Sequence, residues 1–508
     1  MLRPLAAEKW DYGSAAHLLN RAGFGGPPGE IEALVALGPE QAVDRLVNYE
    51  EIPDLTPAPE WAKPDPERAR QLAGAQRLSV EERQKLQREE QQRQRERLAE
   101  LRGWWLQRMA RGARPLQEKM VLFWHGHFAT SFEKVRDATL MWRQNETFRR
   151  RATGNWLELL IETAKDPAML IWLDQAQSRK ERPNENFARE VMELFTLGEG
   201  EFTEEDVAQG ARALTGWTFD RAGQRFVNRP TWHDTGHKVI FGKEGNFDGE
   251  DFLELIVARP AAGRFITRKL WRFFAGTEPS EELAAALASL FRRSGNEFKP
   301  LLRAIFRSEE FYSPRVRRNQ VKSPVQWLIG SVRMLERELP PPEVCAAMLR
   351  SMGQDLFAPP NVKGWEEGVG WITTNTLMAR YNQAAVLVYG EPDGVAGRAP
   401  AAQTARGAGA KRKGGAGQPG GAAATSPEAP GARPAAGGVE VKRILSDAQR
   451  SSKEELIGAL EQRLLQARLK PEHRRVLREY LDSQGALDEA GILNAIRLVM
   501  STPEYQVA

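Results

Sequence analysis

Three short stretches hold the residues best suited to chemistry. His125 and His127 flank Gly126 in FWHGHFATS, Glu190 and Glu193 lie in NENFAREVMELF, and His233 and Asp234 lie in WHDTGHKVIF. In an extended segment, residues two apart point the same way, so a His-x-His pair there can share one metal ion; on a helix the two diverge. Gly126 is expected to break the amphipathic helix built on Leu116, Met120, Phe123 and Trp124, which favours the extended reading. The alternative is two buried histidines bonded to backbone. Glu190 and Glu193 form a stripe with Asn186, beside an apolar face of Phe187, Val191, Leu194 and Phe195. Leu197 continues that stripe. Histidines and carboxylates without thiolates suit a divalent Zn, Mn or Fe ion, which would activate water for hydrolysis or staple helices together. The metal set is therefore His125, His127, Glu190, Glu193 and His233, with Asp234 added as a catalytic candidate, and these residues are expected to meet in space. Asp174, Asn184, Glu185, Asn186 and Arg189 form a polar network around them, with Arg189 pairing with Glu185 or Glu193. His233 and His237 have i, i+4 spacing, but Asp234 and Gly236 argue against a helix, and no glutamate follows the first histidine. Lys363, Trp365 and Trp371 mark a Gly/Trp loop that could take a ligand such as a carbohydrate; the alternative is tryptophans anchored in the core.

The elements that would position these residues are mostly helices. Asn184 follows Pro183 and can cap the central helix, which Gly198 and Gly200 stop. Thr203 and Asp206 resemble a capping box, and Asp166-Pro167 reads as an N-cap with proline at the first helical position. Ser14 can cap a helix that carries His17, read as half-buried near Arg21. Residues 66–114 form a long helix dense in Arg, Glu and Gln, without the sustained apolar heptads of a coiled coil. A hairpin is expected at 219–227 around Arg221-Ala222-Gly223, and the rest of 232–249 reads as loop. Between Val395 and Val439 there is no Leu, Ile, Val, Met or aromatic residue, which predicts a disordered Ala/Gly/Pro linker at 393–439. Residues 440–508 read as a C-terminal helical segment, whose end, VMSTPEYQ, echoes AIFRSEEFY at 304–312.

Composition narrows the class. A 41% hydrophobic fraction and 14 tryptophans fit a large globular core, and a net charge of +4 over 508 residues argues against a nucleic-acid partner. One cysteine, Cys345, excludes an intramolecular disulfide and a multi-thiolate metal site. No apolar run approaches the roughly 20 residues of a membrane helix, and the start lacks the apolar centre of a signal peptide. The expectation is a cytoplasmic chain with no membrane span, unless the true start lies upstream. The fold class is mainly α: a multi-helix globular array with minor β. Its parts are short helices and a Pro-rich loop at 1–65, the charged helix at 66–114, a helical core at 115–392, the linker, and the C-terminal segment.

Seven blocks in order carry a resemblance. HLLNRAGFG (17–25), FWHGHFATS (123–131), DPAMLIWLD (166–174), PNENFAREVMELFTLGEGEFTEEDV (183–207), ARALTGW (211–217), WHDTGHKVIFGKEGNFDG (232–249) and NVKGWEEGVGWITTNTLMARYN (361–382) resemble the bacterial domain-of-unknown-function 1800 family. His237 stands where the family usually has proline, so it is not counted among site residues. The resemblance implies a mostly helical bacterial protein with no assigned activity, often encoded beside sulfatase-like proteins, which are thereby implied as a partner. Two functional readings follow. The favoured one is a helical structural or interaction protein that works with a partner, using the charged helix, the linker and a detached tail. The alternative is a metal-dependent, hydrolase-like enzyme using the His/Glu/Asp cluster.

Overall fold

The structure, a computed structural model, describes residues 2–63, 74–220, 223–390, 437–485 and 487–508. The described residues are mainly helical, with two small antiparallel hairpins. Buried apolar side chains from Leu5 to Tyr505 join in one core, so the helices after residue 440 share the core of those before 390 and are no detached tail. The predicted linker, 393–439, lies outside the described residues as far as residue 436. Its expected last residue, Val439, belongs to the folded body: it is buried and donates its N–H to Val388 O. Gly437 pairs with Gly390 in an antiparallel bridge, so the two ends of the segment meet.

Helix α1 (Tyr12–Ala22) starts one turn earlier than the sequence suggests, because Asp11 rather than Ser14 accepts the capping N–H, that of Ser14. Helix α2 (Pro28–Val47) bends at Gly38, whose φ of 76° is costly for any other residue, so Gly38-Pro39 kinks the helix. Helix α3 (Val80–Arg111) begins at a Ser79–Glu82 capping box. Helix α4 (Pro115–His127) packs against α5 (Ala138–Arg150). Helix α6 (Trp156–Ala164) leads to α7 (Pro167–Trp172), where Asp166 accepts the N–H groups of Ala168 and Met169.

The central helix α8 (Glu185–Glu190) is capped by Asn184 as expected, but it continues as a π turn over Val191–Thr196. The wider turn takes Leu197 off the Glu190–Glu193 stripe: Leu197 is buried while both glutamates are half-buried. Helix α9 (Glu204–Ala213) carries the Thr203–Asp206 capping box. Strands β1 (Trp217–Asp220) and β2 (Arg225–Asn228) form the expected hairpin, with Phe219 opposite Phe226. Strands β3 (Lys238–Ile240) and β4 (Lys243–Gly245) add a second hairpin inside the stretch read as loop.

Helices α10 (Gly249–Val257), α11 (Pro260–Ala275), α12 (Glu281–Arg293) and α13 (Phe298–Arg307) follow, with α12 on α11 and α13 on α2. Helices α14 (Pro324–Met334) and α15 (Pro342–Ser351) both pack on α3. Helix α16 (Thr374–Tyr389) packs on the last long helix, α17 (Glu489–Met500). The echoed sequences share a local device: Ser308 and Thr502 each cap a single 3-10 turn and bury an aromatic ring, Phe311 or Tyr505. The chain end then pairs back on the body, with Val321 bridging Val507 and Ala508 N–H donating to Gln320 O.

Candidate functional site

Helix α4 has two faces with different duties. On one, the buried Glu118 carboxylate accepts from Trp105 Nε1 at 2.9 Å, Arg108 Nε at 2.8 Å, and Arg149 Nε and Nη2 at 2.8 and 2.9 Å. These bonds pin α4 to α3 and α5. On the other, Lys119, Leu122, Phe123, Gly126 and His127 recur at i, i+3, i+4, i+7 and i+8, one continuous stripe, and line a cavity of about 470 Å³. Across the cavity, α11 presents Lys269, Arg272 and Phe273 at the matching helical spacing, and Phe273 meets Phe123 at 5.1 Å between ring centroids. Residues Asn319–Gln326 and the loop 363–371 supply the remaining walls. The first of these is held in place by the chain end, through the Val321–Val507 bridge and the bond from Lys322 N–H to Gln506 O. The loop lies directly on α4: a Cβ at Gly364, where φ is 95°, would stand 2.4 Å from Gly126 O.

The wall is basic inside and acidic only at its edge. Lys119 is buried, and among the described residues its Nζ has no hydrogen bond or ion pair; it lies 5.0 Å from the Phe24 ring and 5.7 Å from that of Phe273. Burial, aided by the nearby Arg21 guanidinium, lowers its amine from 10.5 to about 7. Burial likewise lowers Lys269 to about 8, with Glu367 opposing and Arg272 adding to the fall. Arg272 is bonded to Glu278 at 3.1 Å, while Glu366 and Glu367 are exposed. His127 Nε2 donates to Phe195 O at 3.0 Å, which leaves Nδ1 as a bare acceptor; it has no partner among the described residues. Burial holds this imidazole neutral, far below its ordinary value.

The expected metal set does not assemble. Helix α4 runs through Gly126 to His127, so the two histidines diverge instead of sharing an extended segment. His125 Nε2 accepts from Phe357 N–H at 3.1 Å, inside a cage of Trp105, Phe357 and Trp365, and burial pushes it down to about 3. His233 Nδ1 donates to Thr215 O at 2.9 Å. Asp234 is bound by Arg212 at 2.7 Å, which holds its carboxyl below the usual range. Glu190 is raised by burial and by Glu193 beside it, with Arg189 and then Lys363 opposing. Among the described residues no three His, Cys, Asp or Glu side chains converge as a metal site requires. His125, His127 and His233 each already have a protein hydrogen-bond partner.

The polar network is local too. Arg189 pairs with Glu204, at 2.8 and 2.5 Å, rather than with Glu185 or Glu193. Asp174 binds Lys134 at 2.8 Å, Asn184 caps α8 and donates to Leu173 O, and Glu185 and Asn186 are exposed. Of the sequence candidates, the cavity collects His127, Lys363, Trp365 and Trp371. Lys119 and Lys269 were missed. The signal available was a lysine on the same helical stripe as Phe123 and His127, which reads from sequence as an exposed edge.

A family model described as "Protein of unknown function (DUF1800)" matches residues 17–507. No curated protein and no solved structure matches the chain. No helix among the described residues is long and apolar enough to cross a membrane. The match takes in both cavity helices, the Gly/Trp loop and the returning C-terminal residues up to Val507, and on that span the chain belongs to the DUF1800 family.

Proposed function

We propose that this chain is a small-molecule-binding protein whose cavity between α4 and α11 takes an anionic ligand. The observation that carries this reading is the pair of lysines, Lys119 and Lys269, on the inner wall with no carboxylate bonded to either among the described residues. Lys119 is buried and Lys269 half-buried; a buried cation without a counter-charge is costly, and an entering anion relieves that cost. The volume of about 470 Å³ falls within the range of ligand pockets, roughly 300–1,000 Å³. Phe123, Phe273, Trp365 and Trp371 offer apolar surface beside these charges. Thermal unfolding with phosphate, citrate or glucose 6-phosphate tests the reading. At about 100-fold excess over Kd, a bound anion adds roughly 2.7 kcal/mol of stability, and Lys269→Met should remove most of that gain. No rise with any of the three anions, or a full rise in the variant, would sink it.

A second reading, an interaction role, has one observation in its favour. The first half of α3 is exposed on nearly every side from Val80 to Gln92. It is held by its capping box and by pairs along the helix, such as Gln92 to Glu96 and Gln94 to Glu90. An arm of this kind suits a docking partner, and the sulfatase-like protein implied by the resemblance is the one to test. Replacing Lys85, Arg88, Glu89 and Arg93 by alanine should abolish co-purification of the two proteins while changing stability by under about 1 kcal/mol. Unchanged co-purification would count against the arm.

A further inference from the structure

We propose that Lys119 is an imine-forming residue: its Nζ adds to the carbonyl carbon of a small aldehyde or ketone whose anionic group docks at Lys269. The anionic half of this proposal rests on the cavity reading above; the chemistry rests on the surroundings of Lys119. Its amine borders the cavity between the rings of Phe24 and Phe273, with Leu122 and Phe123 on the same helix face. The charged group acting on it is Arg21 from α1; Lys269 and Arg272 from α11 line the same cavity, the last tied to Glu278. Arg21 cannot turn away. Its guanidinium donates to Phe274 O, Val316 O, Asn319 Oδ1 and Ala508 O at 2.7–3.1 Å. Burial and, after it, the fixed Arg21 guanidinium disfavour the ammonium form and outweigh the attraction of the Phe24 and Phe273 ring faces for the cation, so near neutral pH about half of the amine carries a free lone pair. Desolvated lysines next to another cation are activated as nucleophiles in this way.

The step balances without an oxidant. The nitrogen lone pair forms a C–N bond while the carbonyl π pair moves to oxygen, which takes up a proton as nitrogen loses one. The hydroxyl group is then protonated and leaves as water, and nitrogen gives up its last proton to yield the imine. The sum is amine plus carbonyl compound to imine plus water, with solvent carrying the protons.

Two probes test the proposal on the wild-type chain: glyoxylate, which is anionic, and propanal, which is uncharged, each at pH 7 with cyanoborohydride to trap the imine. Peptide mapping by mass spectrometry then compares Lys119 with an exposed lysine such as Lys63. A lysine near its ordinary value is about 0.1% neutral at pH 7 or less, so Lys119 should be labelled on the order of 100-fold faster. Its labelling rate should rise with a midpoint near pH 7. Label spread over exposed lysines, with Lys119 unmodified, overturns the proposal. If phosphate raises the melting temperature but neither aldehyde labels Lys119, imine formation fails and the anion site stands. If propanal labels Lys119 as well as glyoxylate does, the reactive amine stands and the anionic docking at Lys269 fails. Lys119→Arg should lose the fast-labelled peptide, and the wild-type map decides even if that variant does not fold.

Discussion

Glu118→Ala is expected to lower the unfolding free energy by about 3–5 kcal/mol, the usual cost of breaking a buried ion pair from one side. The carboxylate is buried between Arg108 and Arg149 and also accepts from Trp105. Burial alone would raise its pKa, but Arg149 and then Arg108 overcome that and hold it below 4.5. Alanine would leave Arg149 with only the i−4 amide of Asn145 and the partly exposed Glu146, and would leave Trp105 Nε1 unpaired. The same group fixes the acid limit. A depressed carboxylate contributes stability that is present above its unfolded value, near 4.5, and is lost as pH falls through the folded one. Denaturant unfolding at pH 7 and pH 4 measures both effects. A loss below about 1 kcal/mol at pH 7 would mean that α4 is not held by this carboxylate. The expectation extends to the cavity, because Glu118 sets the rotation of α4 that turns Lys119 inward; the variant should also lose the stabilisation by anions.

Lys119→Met should act in the opposite sense, stabilising the fold while ending ligand binding. Methionine keeps the unbranched apolar stem, one atom shorter, and removes a buried amine that has no hydrogen bond or ion pair among the described residues. The folded amine titrates at about 7 against 10.5 for the ordinary group, so the unfolded chain binds more protons between those values. Wild-type stability therefore rises with pH across that window, and the penalty is present in full below about 7. The variant should lack this part of the slope, gaining on the order of 2–4 kcal/mol at pH 7 and little near pH 10. Lys322 is also lowered to about 7 by burial, but it donates to Tyr505 O and is present in both proteins, so the difference between them isolates Lys119. Unfolding curves at pH 7 and pH 9.5 give the result. A variant less stable than wild type at pH 7 would show that the amine has a partner in the folded state. Gains in stability on removal of a strained site group, with loss of function, are the expected trade.

The sequence by itself determined the elements whose causes are local. Asn184, Asp166 and the Thr203–Asp206 pair cap helices where their side chains reach N–H groups two or three residues on. The hairpin at 217–228 follows from turn residues between two short apolar runs, and seven ordered blocks were enough to recognise the family. Tertiary structure decided the site, because its walls come from residues 119–127, 269–278, 319–326 and 363–371, segments that no periodicity links. It also decided the fate of the histidines. Gly126 is a helix breaker only in isolation; here it stays helical, and it is Gly364 of the covering loop that must lack a side chain, because a Cβ there would stand 2.4 Å from Gly126 O. The π turn after Glu190 took Leu197 off the carboxylate stripe, a rotation that an α-helical reading cannot anticipate. Lys119 was hidden for the same reason. A lysine at the edge of an amphipathic helix is solvated unless something distant covers it, and here the covering rings of Phe24 and Phe273 arrive from about 95 residues before and 154 residues after it in the chain. Burial of a charge is a property of the assembled neighbours, so only the fold could turn an ordinary surface residue into the most reactive group of the cavity.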